Sequence, residues 1–387
     1  MITQFTIGGF RAIENLTLEL GTKNLLMGLN GAGKTSVFDA LASIRELVVQ
    51  GERIADEKSD EPLFPLSSVP RWWRNGSPGP VEQRFEIVFE GEDGPIRYVL
   101  MIQQDEASGR SRIFSEELLH QDRPMFSFRE GTVQLYRRSY EKGPTFTFDW
   151  NRSAVGTVLH PEIPHIDWFK ERMRMTTCVR IDAPRMAARS EKEQPDLERD
   201  LSNFASWYRR ALVTNAAAGA SYLSDMRQVI AGMESLDLHD LGQGIMVLRA
   251  SFEQPHEPIA PGRRRRGTFW LGLQELSDGQ RALIGLYALL HFVLKEGATL
   301  CIDEPDNFVA LAEIQPWLLD IADRVDDYGA QCILASHHPE ILNLLALDHG
   351  ILLERGGSGP TTGIRYKPDA DLPLTPAEVM ARGWQHG

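Results

Sequence analysis

"KNLLMGLNGAGKTS", Lys23 to Ser36, runs from an apolar stretch through a glycine-rich turn into a helical pattern. The apolar stretch reads as a short buried strand. Gly28, four further residues, Gly33, Lys34 and Thr35 then satisfy the phosphate-loop spacing. Glycines let backbone N–H groups close around phosphate oxygens, and the following helix offers its positive N-terminal end. After the turn Val37, Phe38, Leu41, Ile44, Leu47 and Val48 recur at helical spacing, predicting a helix of roughly 15 residues. A glycine-rich turn that merely caps a helix is the plainer alternative. The strand before it and the helix after it favour the phosphate loop, with Lys34 reaching the β/γ-phosphates and Thr35 holding Mg²⁺.

Outward from this stretch the pattern changes twice. "FTIGGFRAIENLTLEL", Phe5 to Leu20, alternates polar and apolar residues as half-buried strands do. Gly51 to Pro80 is rich in Pro, Gly and charge and reads as a loop-dominated insertion. "VEQRFEIVFEGEDGPIRYVLMIQQ", from Val81, is a hairpin pattern around Gly91–Gly94, and "GTVQLYRRSYEKGPTFTFDW", from Gly131, repeats it with a turn expected near Gly143. Helical periodicity then enters in "LERDLSNFASWYRRAL", from Leu197, and "YLSDMRQVIAGMESL", from Tyr222. From Gly272 the order is helix, buried strand, helix, buried strand. "ATLCIDE" and "AQCILASHH" are apolar runs too short for helices, which suits central parallel strands covered on both faces. The expected organisation is an α/β core from residues 1–50 and 270–387, an antiparallel β lobe over 81–150, and a helical lobe over 151–269.

Composition narrows the class. With 387 residues, 42% hydrophobic and 25% charged, the chain can bury the core of one large domain or of two lobes. No apolar run reaches the ~18 residues of a membrane span, and the N-terminus has no basic-then-apolar leader pattern, so no membrane association is expected. Cys178, Cys301 and Cys332 form no Cys-x-x-Cys pair; a reducing cytoplasm is the expected compartment, and Cys301 and Cys332 read as small buried hydrophobes. A formal charge of −13 argues against a generally basic, nucleic-acid-coating surface, leaving one dense cluster, Arg263, Arg264, Arg265 and Arg266, as either a solvated basic turn before "GTFW" or a place where DNA would be met.

Three further stretches carry chemistry. "TLCIDEP" ends a buried strand in Asp303 and Glu304, where α/β folds bind ligands. Either both carboxylates are simply solvated, or Asp303 holds Mg²⁺ and Glu304 deprotonates an attacking water. "ASHHPEIL" puts Ser336, His337 and His338 at the end of the next run; a lone histidine there is commonly a hydrogen-bonded structural residue, or else a donor to a γ-phosphate. Adjacent histidines without a third ligand do not suit a metal. "LSDGQ", Leu276 to Gln280, starts a helix, and Ser277 with the N–H groups near Gly279 makes a second small anion site. One nucleotide does not need two cradles, so the second makes sense as completing the site of a neighbouring copy.

Taken in order, "GLNGAGKT", "LSDGQ", "CIDEP" and "ASHHP" resemble the ABC-type ATPase heads, whose signature is usually written LSGGQ. "FTIGGFRAIENLTLEL" and "LSDGQRALIGLYALL" resemble more specifically the RecF/SMC/OLD-like ATPases of the AAA_21 or AAA_15 group. The resemblance implies a bilobed head with a mostly parallel sheet core, an antiparallel β lobe and a helical insertion, binding ATP and Mg²⁺ and dimerising around two nucleotides. It implies nucleotide contacts from Asn30, Gly31, Ala32, Gly33, Lys34, Thr35 and Ser36 of one copy and from Ser277, Asp278, Gly279 and Gln280 of the other. Thr35 and Asp303 would ligate the metal, Glu304 would be the base, and His337 would be the switch histidine. "DNFVAL", from Asp306, would be the D-loop, although it lacks the His-Pro common in this group. The resemblance further implies an ATP-driven switch or motor subunit for a separate nuclease- or toxin-like effector, as in bacterial phage defence. A DNA-repair ATPase that clamps DNA directly is the alternative.

Overall fold

The structure, a computed structural model, describes residues 1–54, 62–74, 79–105, 110–158, 163–254, 267–357, 359–367 and 374–382. The Arg263–Arg266 cluster lies outside the described residues. In chain order the strands are β1 Ile2–Phe10, β2 Ile13–Glu19, β3 Lys23–Met27, β4 Val81–Gly91, β5 Gly94–Asp105 and β6 Arg110–His120. There follow β7 Arg123–Arg129, β8 Thr132–Tyr136, β9 Lys142–Thr147, β10 Thr176–Arg180, β11 Arg189–Ser190 and β12 Met233–Asp240. The last are β13 Met246–Glu253, β14 Thr268–Gly272, β15 Thr299–Asp303, β16 Gln331–Ala335, β17 Gly350–Arg355 and β18 Thr361–Arg365. The helices are α1 Lys34–Arg45, α2 Arg71–Arg74, α3 Ala154–Thr157, α4 Pro164–Arg174 and α5 Phe204–Thr214, then α6 Ala216–Val229, α7 Asp278–Ala288, α8 Leu311–Tyr328, α9 Pro339–His349 and α10 Pro376–Arg382. None of the helices among the described residues is long and apolar enough to cross a membrane.

The chain forms two compact units: Met1–Cys178 with Gly297–Cys301 and Gly329–Gly387, and Val179–Glu296 with Ile302–Tyr328. In the first, an antiparallel sheet runs β2-β1-β4-β5-β6-β7-β8-β9. Its alternating sequence turns Phe5, Ile7, Phe85, Ile87, Tyr98 and Leu100 to one buried face. β1 and β2, which the sequence reading counted with the nucleotide-binding core, therefore pair into this sheet, because their period-2 pattern matches that of β4. Inside it Glu116 is fully buried and accepts hydrogen bonds from the Tyr98 and Ser153 hydroxyls and the backbone N–H groups of Ala154 and Val155. Burial nonetheless raises its carboxyl above the usual range.

A second sheet runs β10-β15-β16-β3-β17-β18. β16 and β17 flank β3 in parallel, and β18 closes the edge antiparallel to β17. All five residues of β15 and of β16 are buried, as their continuous apolar sequence required. Cys301 and Cys332 lie among them. Gln331 fixes the register from inside: its Oε1 accepts from Ile2 N and Thr299 Oγ1, and its Nε2 donates to the carbonyls of Ile2 and Gly21. A buried amide satisfied at both ends is costly to displace.

The second unit packs helices on a small sheet in which β13 pairs antiparallel with β11, β12 and β14. Phe204, Tyr208 and Tyr222 are buried together, Tyr222 donates to Ile284 O and Trp317 Nε1 donates to Leu286 O, so the second half of the helix following "LSDGQ" is pinned by side chains. On α8, Arg324 pairs with Asp320 and Asp225, and Asp225 also meets His291; burial lowers the histidine's pKa despite that carboxylate.

Three local expectations fail for identifiable reasons. The β8–β9 turn is Arg137–Glu141 and Gly143 lies inside β9, because Arg137 N donates to Glu141 O while Tyr140 takes a positive φ. The helical pattern from Leu197 becomes helix only at Phe204, since Asn203 bonds Glu198 N, Gln194 and Asp196 O and so diverts the preceding backbone. The pattern from Tyr222 stops at Val229; Gly232 turns at φ 75° and "MESL" begins β12.

Candidate functional site

β3 delivers the chain into Gly28, which sits at φ 144°, followed by Gly31 at 81° and Gly33 at 106°. An added Cβ at Gly28 would lie 2.3 Å from Leu353 O of β17, and one at Gly33 would lie 2.9 Å from Thr361 Oγ1 of β18. The glycines are thus required twice over, by backbone sign and by the neighbouring strands. Gly28→Ala is expected to destabilise the first unit by about 1–3 kcal/mol, read as a lowered urea midpoint. An unchanged midpoint would mean that β17 yields freely at this contact.

α1 begins at Lys34 with Gly33 as its cap, no side-chain cap bond and no acid in its first turn. That is the start of a helix suited to an anion. Lys34 is buried, and its Nζ donates to Gly28 O at 2.7 Å and Leu29 O at 3.3 Å, so the ammonium lies across the loop. Asn30 and Gly31 are exposed at the crest, and nothing stands within 4 Å of where a Gly31 Cβ would be. Gly28 to Ala32 also line a cavity of about 280 Å³ with Leu352–Arg355. Behind the loop Arg11, in the β1–β2 turn, pairs with Asp39 on α1.

In the same unit β16 lies beside β3, with Ala335 opposite Leu26, and Ser336 N donates to Leu26 O. His337 is therefore at the end of this sheet where β3 leads into the glycine loop, and it is exposed. His338 is committed elsewhere: its Nδ1 accepts from Glu340 N and caps α9, while its own N–H donates to Ser336 Oγ.

In the second unit Ser277 is the N-cap of α7 in a reciprocal capping box. Its Oγ accepts from Gln280 N at 3.2 Å, and Gln280 Oε1 accepts from Ser277 N at 3.0 Å. Asp278 is engaged by Arg281. Gly279 faces the segment after β15 so closely that an added Cβ would stand 3.0 Å from Phe308 O. The "LSDGQ" turn and the Pro305–Phe308 turn are therefore packed together.

Asp303 ends β15 and is buried; Glu304, next in the chain, takes φ 50°. Phe308 at φ 70° completes a sharp turn, held by Asn307 N donating to Glu304 O. Positive φ at two non-glycine residues stores strain of the kind found at functional turns. The Glu304 carboxylate is gripped: Oε2 accepts from Arg180 Nη2 at 3.0 Å and from Asn307 Nδ2 at 2.9 Å. Sequence reading missed Arg180. The available signal was a cation ending the apolar run "TTCVR", as the acids end "TLCID".

A family model described as "AAA domain, putative AbiEii toxin, Type IV TA system" (AAA_21) matches residues 23–343, from β3 into α9. The chain belongs to the AAA_21 family. Among solved structures, this AAA_21 chain is similar to an Smc head bound to the C-terminal winged-helix domain of ScpA, with TM-score 0.51 and 15% identity over 94% of this chain and 97% of that one. It is also similar to an Smc head domain with an extended coiled coil bound to the C-terminal domain of ScpA derived from Pyrococcus furiosus, with TM-score 0.50 and 13% identity over 94% and 96%. No curated protein matches the sequence. The fold is accordingly that of an ABC-type, SMC-like ATPase head of mixed α/β construction.

Proposed function

We propose that this AAA_21 protein binds Mg²⁺·ATP and hydrolyses its β–γ bond at a site completed by a second copy of the chain. The observation that carries the reading is the glycine-capped, acid-free start of α1 with the Lys34 ammonium laid across its loop. A phosphate chain offers that ammonium and the loop's N–H groups the anionic acceptor for which such a helix start is suited. In this reading Asn30 to Ser36 supply the nucleotide contacts. The hydroxyl of Thr35 and the carboxylate of Asp303 are hard oxygen donors of the type Mg²⁺ takes. Bound there, Mg²⁺ supplies neutralisation of charge on the β- and γ-phosphate oxygens.

Glu304 is the proposed general base. It accepts a proton from water as the water oxygen bonds the γ-phosphorus and the bond to the β–γ bridging oxygen breaks, giving ADP and phosphate. His337, at the phosphate-loop end of its sheet, is the proposed γ-phosphate contact in the same copy. Ser277, Asp278, Gly279 and Gln280 are the proposed contacts from the other copy. The hydroxyl of Ser277 donates to Gln280 Oε1 at only 3.3 Å, a long bond that a phosphate oxygen can replace without loss of the helix cap.

Closure of two copies around ATP and reopening after hydrolysis make the protein a switch for another protein. The two Smc heads described above are bound to ScpA domains, which favours a protein partner for this head as well. The family description names a putative AbiEii toxin of a type IV toxin–antitoxin system; the setting we propose beside it is cytoplasmic phage defence with a separate effector.

Mixing two inactive variants tests the composite site. Ser277→Arg disables the donated signature and Lys34→Ala the phosphate loop, so a mixed dimer has one site with both defects and one with neither. Each mixed dimer is expected to recover about half the wild-type phosphate release, because one site in two is restored, so an equal mixture that pairs at random recovers about a quarter. No recovery, in mixed dimers demonstrated by affinity capture, would contradict a shared site.

A further inference from the structure

We infer that Arg180 is a positioning residue for the proposed hydrolysis, acting on ATP turnover only through the carboxylate of Glu304. The inference rests on the assignment of Glu304 as general base. Arg180 is the last residue of β10, the strand beside β15 in the sheet order, so its side chain reaches the residue that follows β15. Its backbone is fixed as well, Arg180 N donating to Arg199 O at 2.8 Å.

The need for such a residue follows from the backbone of Glu304. A left-handed φ of 50° in a non-glycine residue aims the side chain out of the line of the strand, where β15 itself gives it no support. The carboxylate is instead held from two sides on one oxygen. Asn307 Nδ2 reaches Oε2 at 2.9 Å from within the same turn, and Arg180 Nη2 reaches it at 3.0 Å from a strand far away in sequence. Two donors on one oxygen fix the plane of the carboxylate and direct the second oxygen. For a general base this orientation is the requirement that comes before basicity. Arg180 adds a charge-assisted bond, and its side chain is half-exposed where that of Glu304 is only 20% exposed, so the guanidinium stands on the solvent side of the acid.

An arginine that acts only through Glu304 leaves a specific kinetic signature. Removing it lowers kcat and leaves KM for ATP unchanged, since nothing is lost from nucleotide binding. In a background where Glu304 has lost its function, removing Arg180 costs nothing more.

The test is steady-state phosphate release against Mg²⁺·ATP concentration for the full-length chain as wild type, Arg180→Ala, Arg180→Lys, Glu304→Gln and the double variant Arg180→Ala/Glu304→Gln. Arg180→Ala is expected to lower kcat by about tenfold, the effect of one charge-assisted bond, with KM within about twofold. Arg180→Lys, which keeps the charge but not the fork, is expected in between. The double variant should match Glu304→Gln alone. Asn307→Ala, which removes the other donor, is the second probe should Arg180→Ala fail to fold, and the same kcat-only loss is expected of it.

A kcat for Arg180→Ala within about twofold of wild type, a raised KM, or a double variant clearly below Glu304→Gln would overturn the inference. If Glu304→Gln itself turns over like wild type, the base assignment fails first. If Glu304→Gln is inactive while Arg180→Ala is unaffected, only the inference about Arg180 fails.

Discussion

Lys34→Ala is expected to lower ATP turnover by about 10²–10³-fold or more and to remove measurable Mg²⁺·ATP binding in isothermal titration. The lysine is buried at the start of α1, with its ammonium within hydrogen-bond reach of two loop carbonyls, so its removal takes away a side-chain cation laid across the glycine-rich loop. The remaining helix N-terminus contributes only partial charge, about half a unit. Because Nζ also ties down Gly28 O, the melting temperature without nucleotide is the control. A variant that melts like wild type but no longer binds has lost the charge rather than the loop. Wild-type affinity and turnover in a folded variant would reject the phosphate-loop assignment outright.

Glu304→Gln should leave ATP binding intact and slow hydrolysis by about 10²–10⁴-fold, the usual cost of losing general-base assistance. The amide keeps the length of the side chain and an oxygen that accepts from Arg180 and Asn307, so the turn is expected to survive. The neutral amide, its nitrogen lone pair delocalised into the carbonyl, cannot take a proton from water. Since closure needs ATP and reopening needs hydrolysis in this account, the variant should accumulate as an ATP-bound dimer in light scattering. A change of only a few-fold would make Glu304 a structural carboxylate at a strand end.

The features legible in the sequence were those whose physics is local. The glycine loop between β3 and α1 showed itself because strand, glycines, Lys34 and helix are contiguous. The hairpin Val81–Asp105 showed itself because strand period and turn glycines are contiguous too. "LSDGQ" announced a capped helix, and its Ser277–Gln280 box is local chemistry. What escaped was set at a distance. β1 and β2 gave the right period without saying which sheet they would join. Nothing near Gly28 announces Leu353, yet that carbonyl makes the glycine obligatory. Arg180 is separated by 124 positions from the acid it grips. The short strand β12 was taken into the helical pattern before it, since four residues of "MESL" cannot outvote a preceding amphipathic run until Gly232 is seen to reverse the chain.

The most direct measurement of the central claim is phosphate release per chain at saturating Mg²⁺·ATP across a wide range of wild-type protein concentration. A site completed by a second copy predicts specific activity that rises with concentration and levels off as dimers saturate. Activity per chain that stays constant down to concentrations where light scattering finds only monomers would contradict it.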